Sequence, residues 1–239
     1  MTITIVGSAI TGNGATIAKA SVTAGSLLTL QTAYYRTATT GLAEPVPTDS
    51  QGTWSIGSSG VPGLPSGGTD AGASIFYQAN VASGTHTVTP QAASGKNLTL
   101  IEWDNATTTP LDVAANAKTD SFTGTSQVTG TTATTAQANE LVLIALGLGC
   151  PVGVSDVGFT NPVSGFTTSQ IISNDFSDMG TFHAYKNVTN TGTQSATFNW
   201  TDTEAGQGSG AAIATFKDVT AGGAAPRIIT PITSVSMGR

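Results

Sequence analysis

IFYQANVASGTHTVTP (residues 75–90) and FHAYKNVTNTGTQSATFN (residues 182–199) decide the fold. In each, a run containing a tyrosine reaches an Asn-Val pair, Asn80–Val81 or Asn187–Val188. A Gly-Thr turn follows, Gly84–Thr85 or Gly192–Thr193, and then an alternating Thr-rich strand. Working outward, the same order continues. ATIAKASVTAGSLLTLQ after Gly14 and TSQVTGTTATTAQANELVLIAL after Gly124 are both turn-rich leads into an apolar strand. Downstream, NLTLIEW closes on Trp103 and AAIATF on Phe216. The matched elements stand roughly 107 to 115 residues apart, near the ~100 residues of a small sandwich domain. This order predicts an internal duplication and a pseudo-twofold pair of β-sandwiches. Two other readings remain open: chance self-matching of Thr-rich sequence, and interleaving of both halves into one larger sandwich.

Strand signals elsewhere agree with an all-β chain. Short β-branched and aromatic runs occur at Thr2–Val6, Thr16–Val22, Ser26–Tyr35, Thr53–Ile56, Ala73–Ala79, Thr85–Thr89 and Asn97–Trp103. They continue at Glu140–Leu146, Val157–Phe159, Thr167–Ile172, Thr181–Asn187, Ser195–Trp200 and Ala211–Phe216. Gly, Pro or Asx clusters bound most of them, and Gly, Thr, Ser and Pro recur too often for an amphipathic helix. LVLIAL, Leu141–Leu146, is apolar throughout, which suits a central strand covered on both faces. The expected organisation is a first jelly-roll or Ig-like sandwich over residues 1–112 and a second over 113–219. An extended Pro- and Ile-containing arm follows over 220–239. The joint is expected near Pro110–Asp120, where strand character fades.

Composition narrows function. Charged residues are 9% of the 239-residue chain, against roughly 25% in ordinary soluble domains. The net charge of −6 and scattered Lys and Arg speak against nucleic acid, which needs a basic face. No stretch approaches the ~20 apolar residues of a membrane helix, and MTITIVGSAI lacks the basic and apolar regions of a secretory signal. The expected site of synthesis is therefore the cytoplasm. The single Cys150 forbids an intrachain disulfide and reads as a buried, inert thiol.

Catalytic chemistry finds little support, and no cofactor or metal is expected. His86 and His183 fall at pattern positions of strands. No nucleophile elbow, zinc motif or phosphate loop is present, and GQGSG at Gly206–Gly210 reads as a hairpin turn. Glu102 and Asp104 should share one strand face with the Trp103 ring on the other. Nothing sets them, or Asp202 and Glu204, across a cleft as a glycosidase requires. The acids of the Asp175–Asp178 and Asp202–Glu204 loops lack calcium-motif spacing and read as solvated. Asn-x-Thr sequons at Asn97, Asn105, Asn187 and Asn199 carry little weight in a chain so rich in Ser and Thr. Trp54, Trp103 and Trp200 read first as core residues, and second as flat platforms for sugar rings. Two terminal segments are candidate assembly arms: Thr2, Ile3, Thr4, Ile5 and Val6, and Ile228, Ile229 and Ile232 of the tail. Each could extend a sheet, since exposed isoleucines call for a cover.

TAGSLLTL at Thr23, IFYQANVASGTHTV at Ile75, IEWDNATTTPLD at Ile101, ANELVLIAL at Ala138 and SGAAIATFK at Ser209 together resemble a known family. It is the Thr/Gly-rich β-sandwich structural proteins of tailed-bacteriophage virions. The resemblance spans most of residues 14–218 and is one of style and element order. It implies a non-enzymatic virion protein, assembled on the particle exterior. The first expectation is a capsid decoration or cement protein whose partners are the major capsid protein and neighbouring copies of itself. The alternative is a tail or head fibre that binds host-surface glycan.

Overall fold

The computed structural model describes residues 2–36, 44–62, 70–91, 96–120, 124–150, 158–160, 163–172, 179–201 and 208–219. Among them every regular element is a strand. The first half carries β1 (Thr4–Ile5), β2 (Ile10–Gly12), β3 (Ile17–Val22), β4 (Leu27–Arg36), β5 (Thr48–Asp49) and β6 (Gly52–Thr53). It continues with β7 (Ser55–Gly60), β8 (Asp70–Gln78), β9 (Gly84–Thr89) and β10 (Lys96–Asp104). The second half carries β11 (Ala106–Thr119), β12 (Ser126–Val128), β13 (Glu140–Gly149), β14 (Thr167–Ile172), β15 (Met179–Val188), β16 (Thr197–Asn199) and β17 (Gly208–Asp218).

The halves repeat one strand order. The first builds a sheet β10-β4-β8-β7 with β1 and β2 on the outer edge of β10. The second builds β17-β13-β15-β14 with β11 on the outer edge of β17. Each sheet is covered on one face by a smaller one: β3-β9-β5-β6 in the first half, β12-β16 in the second. Ile17, Val22 and Val88 of the small sheet meet Leu28, Leu30, Phe76, Leu98 and Leu100 of the large one. Ala196 and Phe198 meet Val142, Ile144, Phe182 and Ile213 in the same way.

The opposite faces of the two large sheets pack on each other. Leu27, Ile75, Ile101 and Trp103 share a core with Leu141, Leu143, Ala214 and Phe216. LVLIAL is thus buried on both faces as expected, Leu141, Leu143 and Ala145 toward the first half, Val142, Ile144 and Leu146 toward the small sheet. Edge-to-face ring pairs cross the contact reciprocally. Trp103 meets Tyr185 at 5.1 Å, and Tyr77 meets Phe216 at 5.5 Å. Trp103 and Phe216 stand opposite Leu27 and Leu141 at matching places of the two sheets.

Along the strands the contact tapers. At the other end from these rings lie Gly60, Gly72, Gly147 and Gly210, where backbone meets backbone, and Gly208, where an added Cβ would meet the Asp70 carboxylate. A methyl on Gly210 would overlap the Gly60 carbonyl, and one on Gly147 the Gly72 carbonyl. Here the large sheets join, β8 and β17 pairing in parallel at Gly208↔Asp70 and Ser209↔Ala71. Gly208–Gly210 therefore opens a buried strand and is no part of a turn, while Gly206 and Gln207 of the expected hairpin lie outside the described residues. Small size at a close approach, rather than turn formation, explains these glycines.

Residues 110–119 of the expected joint lie within β11, a 14-residue edge strand that runs across the 112/113 boundary. Its side chains are small and half-exposed, so no apolar run announces it. Pro110 sits in an irregular stretch of the pairing, where an edge strand tolerates a missing N–H.

Gly210→Ala and Gly147→Ala should each destabilise by about 1–3 kcal/mol through overpacking, lowering Tm by at least about 3 °C. Gly192→Ala, where an added Cβ meets nothing within 4 Å, should change Tm by under about 1 °C. Thermal melts of the three variants check this, and equal effects at all three positions would contradict it.

Candidate functional site

Of the titratable groups that sequence reading singled out, both histidines and Glu102 are placed in the interior. His86 and Asp49 are fully buried, with Nδ1 2.6 Å from the Asp49 carboxylate and Nε2 3.0 Å from the Ala82 carbonyl. A carbonyl only accepts, so Nε2 carries a proton, and both ring nitrogens are occupied by structure. This pair ties β9 to β5 beneath the small sheet. His183 lies between the two large sheets, its Nδ1 2.9 Å from Thr99 Oγ1. Complete burial pushes its pKa down to about 3, only partly offset by the Thr32 backbone, so the ring is neutral.

Around His183 runs a polar seam joining the halves. Asn97 Nδ2 donates to Thr181 Oγ1 at 2.8 Å, and Thr99 Oγ1 to Gln170 Oε1 at 3.0 Å. Gln31 Nε2 donates to the carbonyls of Ile144 and Ala184 at 2.7 and 3.1 Å. Each net bond of this kind is worth about 1 kcal/mol, but its loss strands a buried partner at greater cost.

Glu102 and Asp104 do share a face, opposite Trp103, and both are engaged. Glu102 accepts from Thr23 N at 2.8 Å and Ser26 Oγ at 3.0 Å, with Lys19 Nζ 3.7 Å away. Asp104 accepts from the Thr4 backbone and hydroxyl. Sequence reading missed Glu140 and Asp112, which only the β11–β17–β13 pairing brings together. Burial, and then the Asp112 carboxylate, push the Glu140 carboxyl up to about 7 against the opposing Thr215 hydroxyl. Cys150 is buried, as expected of an inert thiol. Among the described residues no group of three or more His, Cys, Asp or Glu is placed to hold a metal ion. The Asp175–Asp178 and Asp202–Glu204 loops lie outside the described residues.

All three tryptophans are interior: Trp54 is 3%, Trp103 1% and Trp200 4% exposed. Trp103 also donates its Nε1–H to Thr29 Oγ1 at 2.8 Å. This corrects the glycan-contact reading, because a buried ring has no face to offer a sugar. The candidate N-terminal arm is likewise taken up by its own chain. Ile5 pairs with Trp103, Val6 N donates to Glu102 O at 2.8 Å, and Ile3 is buried in the core between the halves. Asn187 Nδ2 clamps it by donating to Ile3 O at 3.1 Å. Thr2 and Thr4 are its exposed positions. Ile228, Ile229 and Ile232 lie outside the described residues.

Among the described residues, sheet edges and a cleft remain open to a partner. Ile171 on edge strand β14 and Ile56 on β7 are exposed apolar side chains, as are Val46 and Val128. The cleft, about 370 Å³, lies in the second half between Val163, Ser164 and Phe166 on one side and Ser195–Thr197 with Asn199 on the other. Lys186 Nζ stands 4.5 Å over the Phe166 ring at its border.

Two opposed pH effects follow. The unfolded chain takes up a proton at His183 below about pH 6.5 that the folded chain refuses until about 3. Stability therefore falls as pH drops through that window, and His183→Gln should shrink the Tm loss between pH 6.5 and 4. Glu140 works in reverse: its stabilising share is present below about 4.5 and lost as pH rises through about 7. Glu140→Gln should gain Tm relative to the parent at pH 8 and not at pH 4. Parallel pH–Tm curves for parent and variants would contradict both assignments.

No family model, curated protein or solved structure matches this chain.

Proposed function

We propose that the chain is a structural protein of a tailed-bacteriophage virion, a capsid decoration or cement protein that binds the outer shell and ties neighbouring capsomers together. The observation that carries this reading is where the chain spends its chemistry. His86 and Asp49 lock the first small sheet, Trp54 and Trp200 fill the cores of their own halves, and Trp103 and His183 with its polar partners hold the two halves of the chain together. Its surface is left with sheet edges, Thr and Ser side chains and a low density of charge. A cementing role needs such a rigid body with extendable edges. Many copies on a repeating lattice act together, so each contact can be modest. The resemblance in strand style and element order supports the same reading.

The repeated strand order and reciprocal ring pairs support a related proposal about origin. A half that once paired with itself across a twofold axis was duplicated in tandem, and its self-contact became the interior of one chain. The fibre-adhesin reading rested on exposed tryptophans and Asn/Asp loops, and the burial of Trp54, Trp103 and Trp200 removes its named contact residues.

Quantitative mass spectrometry of gradient-purified virions should find hundreds of copies of this chain per particle. Adding the purified protein to particles that lack it should raise their resistance to heat. A handful of copies would transfer the protein to the tail or a fibre. Complete absence would overturn the virion reading.

A further inference from the structure

The second small sheet is finished on one side by something other than a strand. β12 pairs with β16 as an ordinary antiparallel ladder, Ser126↔Asn199, Gln127↔Phe198 and Val128↔Thr197. Residues 129–135, Thr-Gly-Thr-Thr-Ala-Thr-Thr, then run on along residues 192–196 with a different step. Thr129 N donates to Ala196 O at 3.0 Å, Thr132 N to Gln194 O at 2.9 Å and Thr135 N to Gly192 O at 3.1 Å. The return bonds go to hydroxyls. Ala196 N donates to Thr129 Oγ1 at 3.1 Å, Gln194 N to Thr132 Oγ1 at 2.9 Å and Gly192 N to Thr135 Oγ1 at 3.2 Å. Every third residue of one segment thus serves every second residue of the other.

An unbroken ladder from β12 would have set residues 131 and 133 opposite 194 and 192. Each step here carries one residue more, so three residues cover the ~6.7 Å that two strand residues span. The chain must coil to do this, and burial takes the same period. Thr129, Thr132 and Thr135 are buried, while Thr131, Ala133, Thr134 and Ala136 are exposed. Where a strand would offer a carbonyl, the coiled chain offers a hydroxyl. Threonine suits the place because its hydroxyl accepts and donates at once. Thr129 and Thr132 pass their own protons to Gly130 O and Ala133 O, each at 2.8 Å. The other side of the segment rests on β11. Gly130, at a φ of 81°, leaves no room for a Cβ beside the Asn116 carbonyl, and Ala136 N donates to Asp112 Oδ2 at 2.6 Å.

We propose that residues 129–135 are a threonine-built cap that keeps a strand of a second copy from adding to the second small sheet. An ordinary strand in this place would satisfy residues 192–196 and then present its own N–H and C=O row, a template for the next strand. A row with a period of three does not match the period of two that any incoming strand brings. The first half solves the same problem differently. There β3 fills this place as a regular strand, and the N-terminal segment lies against it, Lys19 Nζ donating to Val6 O at 3.1 Å. Copies of this chain are the strands to be excluded, because charged residues are 9% of the sequence and give neighbouring copies little repulsion.

The inference stands apart from the virion reading, and particle copy number and the following test fail independently. Amide hydrogen exchange on the intact chain reads the Gln194 and Ala196 N–H groups directly. Both should be protected in the parent at every protein concentration. Thr132→Val, which keeps the side-chain shape and removes the hydroxyl, should speed Gln194 exchange by about tenfold or more while the β13 amides stay unchanged. Thr132→Ser and Thr134→Val should leave the parental rate. In the triple variant Thr129→Val, Thr132→Val, Thr135→Val the bared edge should regain protection as concentration rises, because a second copy's strand then adds to it. Should the triple variant lose β13 protection as well, Thr132→Val gives both readings over the same concentrations. Gln194 exchange indifferent to Thr132→Val, or an equal effect from Thr134→Val, would show that the hydroxyls do not hold the segment and would overturn the proposal. Fast exchange of the bared edge at every concentration would overturn it too, since no strand would then be waiting to be excluded.

Discussion

Backbone-to-backbone contact at the glycine end of the two large sheets is the constraint on which the rest of the molecule depends. Gly60, Gly72, Gly147 and Gly210 let the sheets touch there, while Trp103, Tyr77, Tyr185 and Phe216 hold them apart at the other end. The strands carry this gradient in their own order. β8 runs from Gly72 to Tyr77 and β17 from Gly208 to Phe216, while β13 runs the other way, from Leu141 to Gly147. Each strand is therefore a tapered wedge, and the taper sets how the halves lie on each other. Without the close end, β8 and β17 could not pair at Asp70 and Gly208, and the large sheet would split in two.

That geometry also explains why polar groups are so deep. A purely apolar face would be free to slide by a residue pair. Gln31, Asn97, Thr99 and His183 fix one register, because any shift strands buried donors and acceptors. The same residues that could have suggested chemistry are spent on alignment. His86 is spent likewise within the first small sheet, where Asp49 and Ala82 take both its nitrogens.

The sequence made the large strands legible because burial on two faces demands unbroken apolar runs. LVLIAL and the Tyr, Asn-Val and Gly-Thr order located the central strands within a few residues, and Thr167–Ile172 coincides with β14. It hid the elements that bury little. β5 and β6 are two residues each, and β11 alternates small side chains that carry no hydrophobic period. GQGSG misled because glycine signals a turn and a close approach with the same letter, and only the partner backbone separates them. The tryptophans could not be assigned from sequence, since a ring at a strand end serves a core or a sugar equally well. Glu140 and Asp112 stood 28 positions apart with no shared motif, and only strand pairing makes them neighbours.

A chain whose halves share a core cannot behave as two beads on a string. Each half contributes one face of the contact that buries Leu27, Ile101, Leu141 and Phe216. Loss of either half would expose that face to water. Differential scanning calorimetry of the intact chain tests this most directly. The account predicts one transition with equal calorimetric and van't Hoff enthalpies. Two separable transitions, or a calorimetric enthalpy near twice the van't Hoff value, would show that the halves fold as independent units and contradict it.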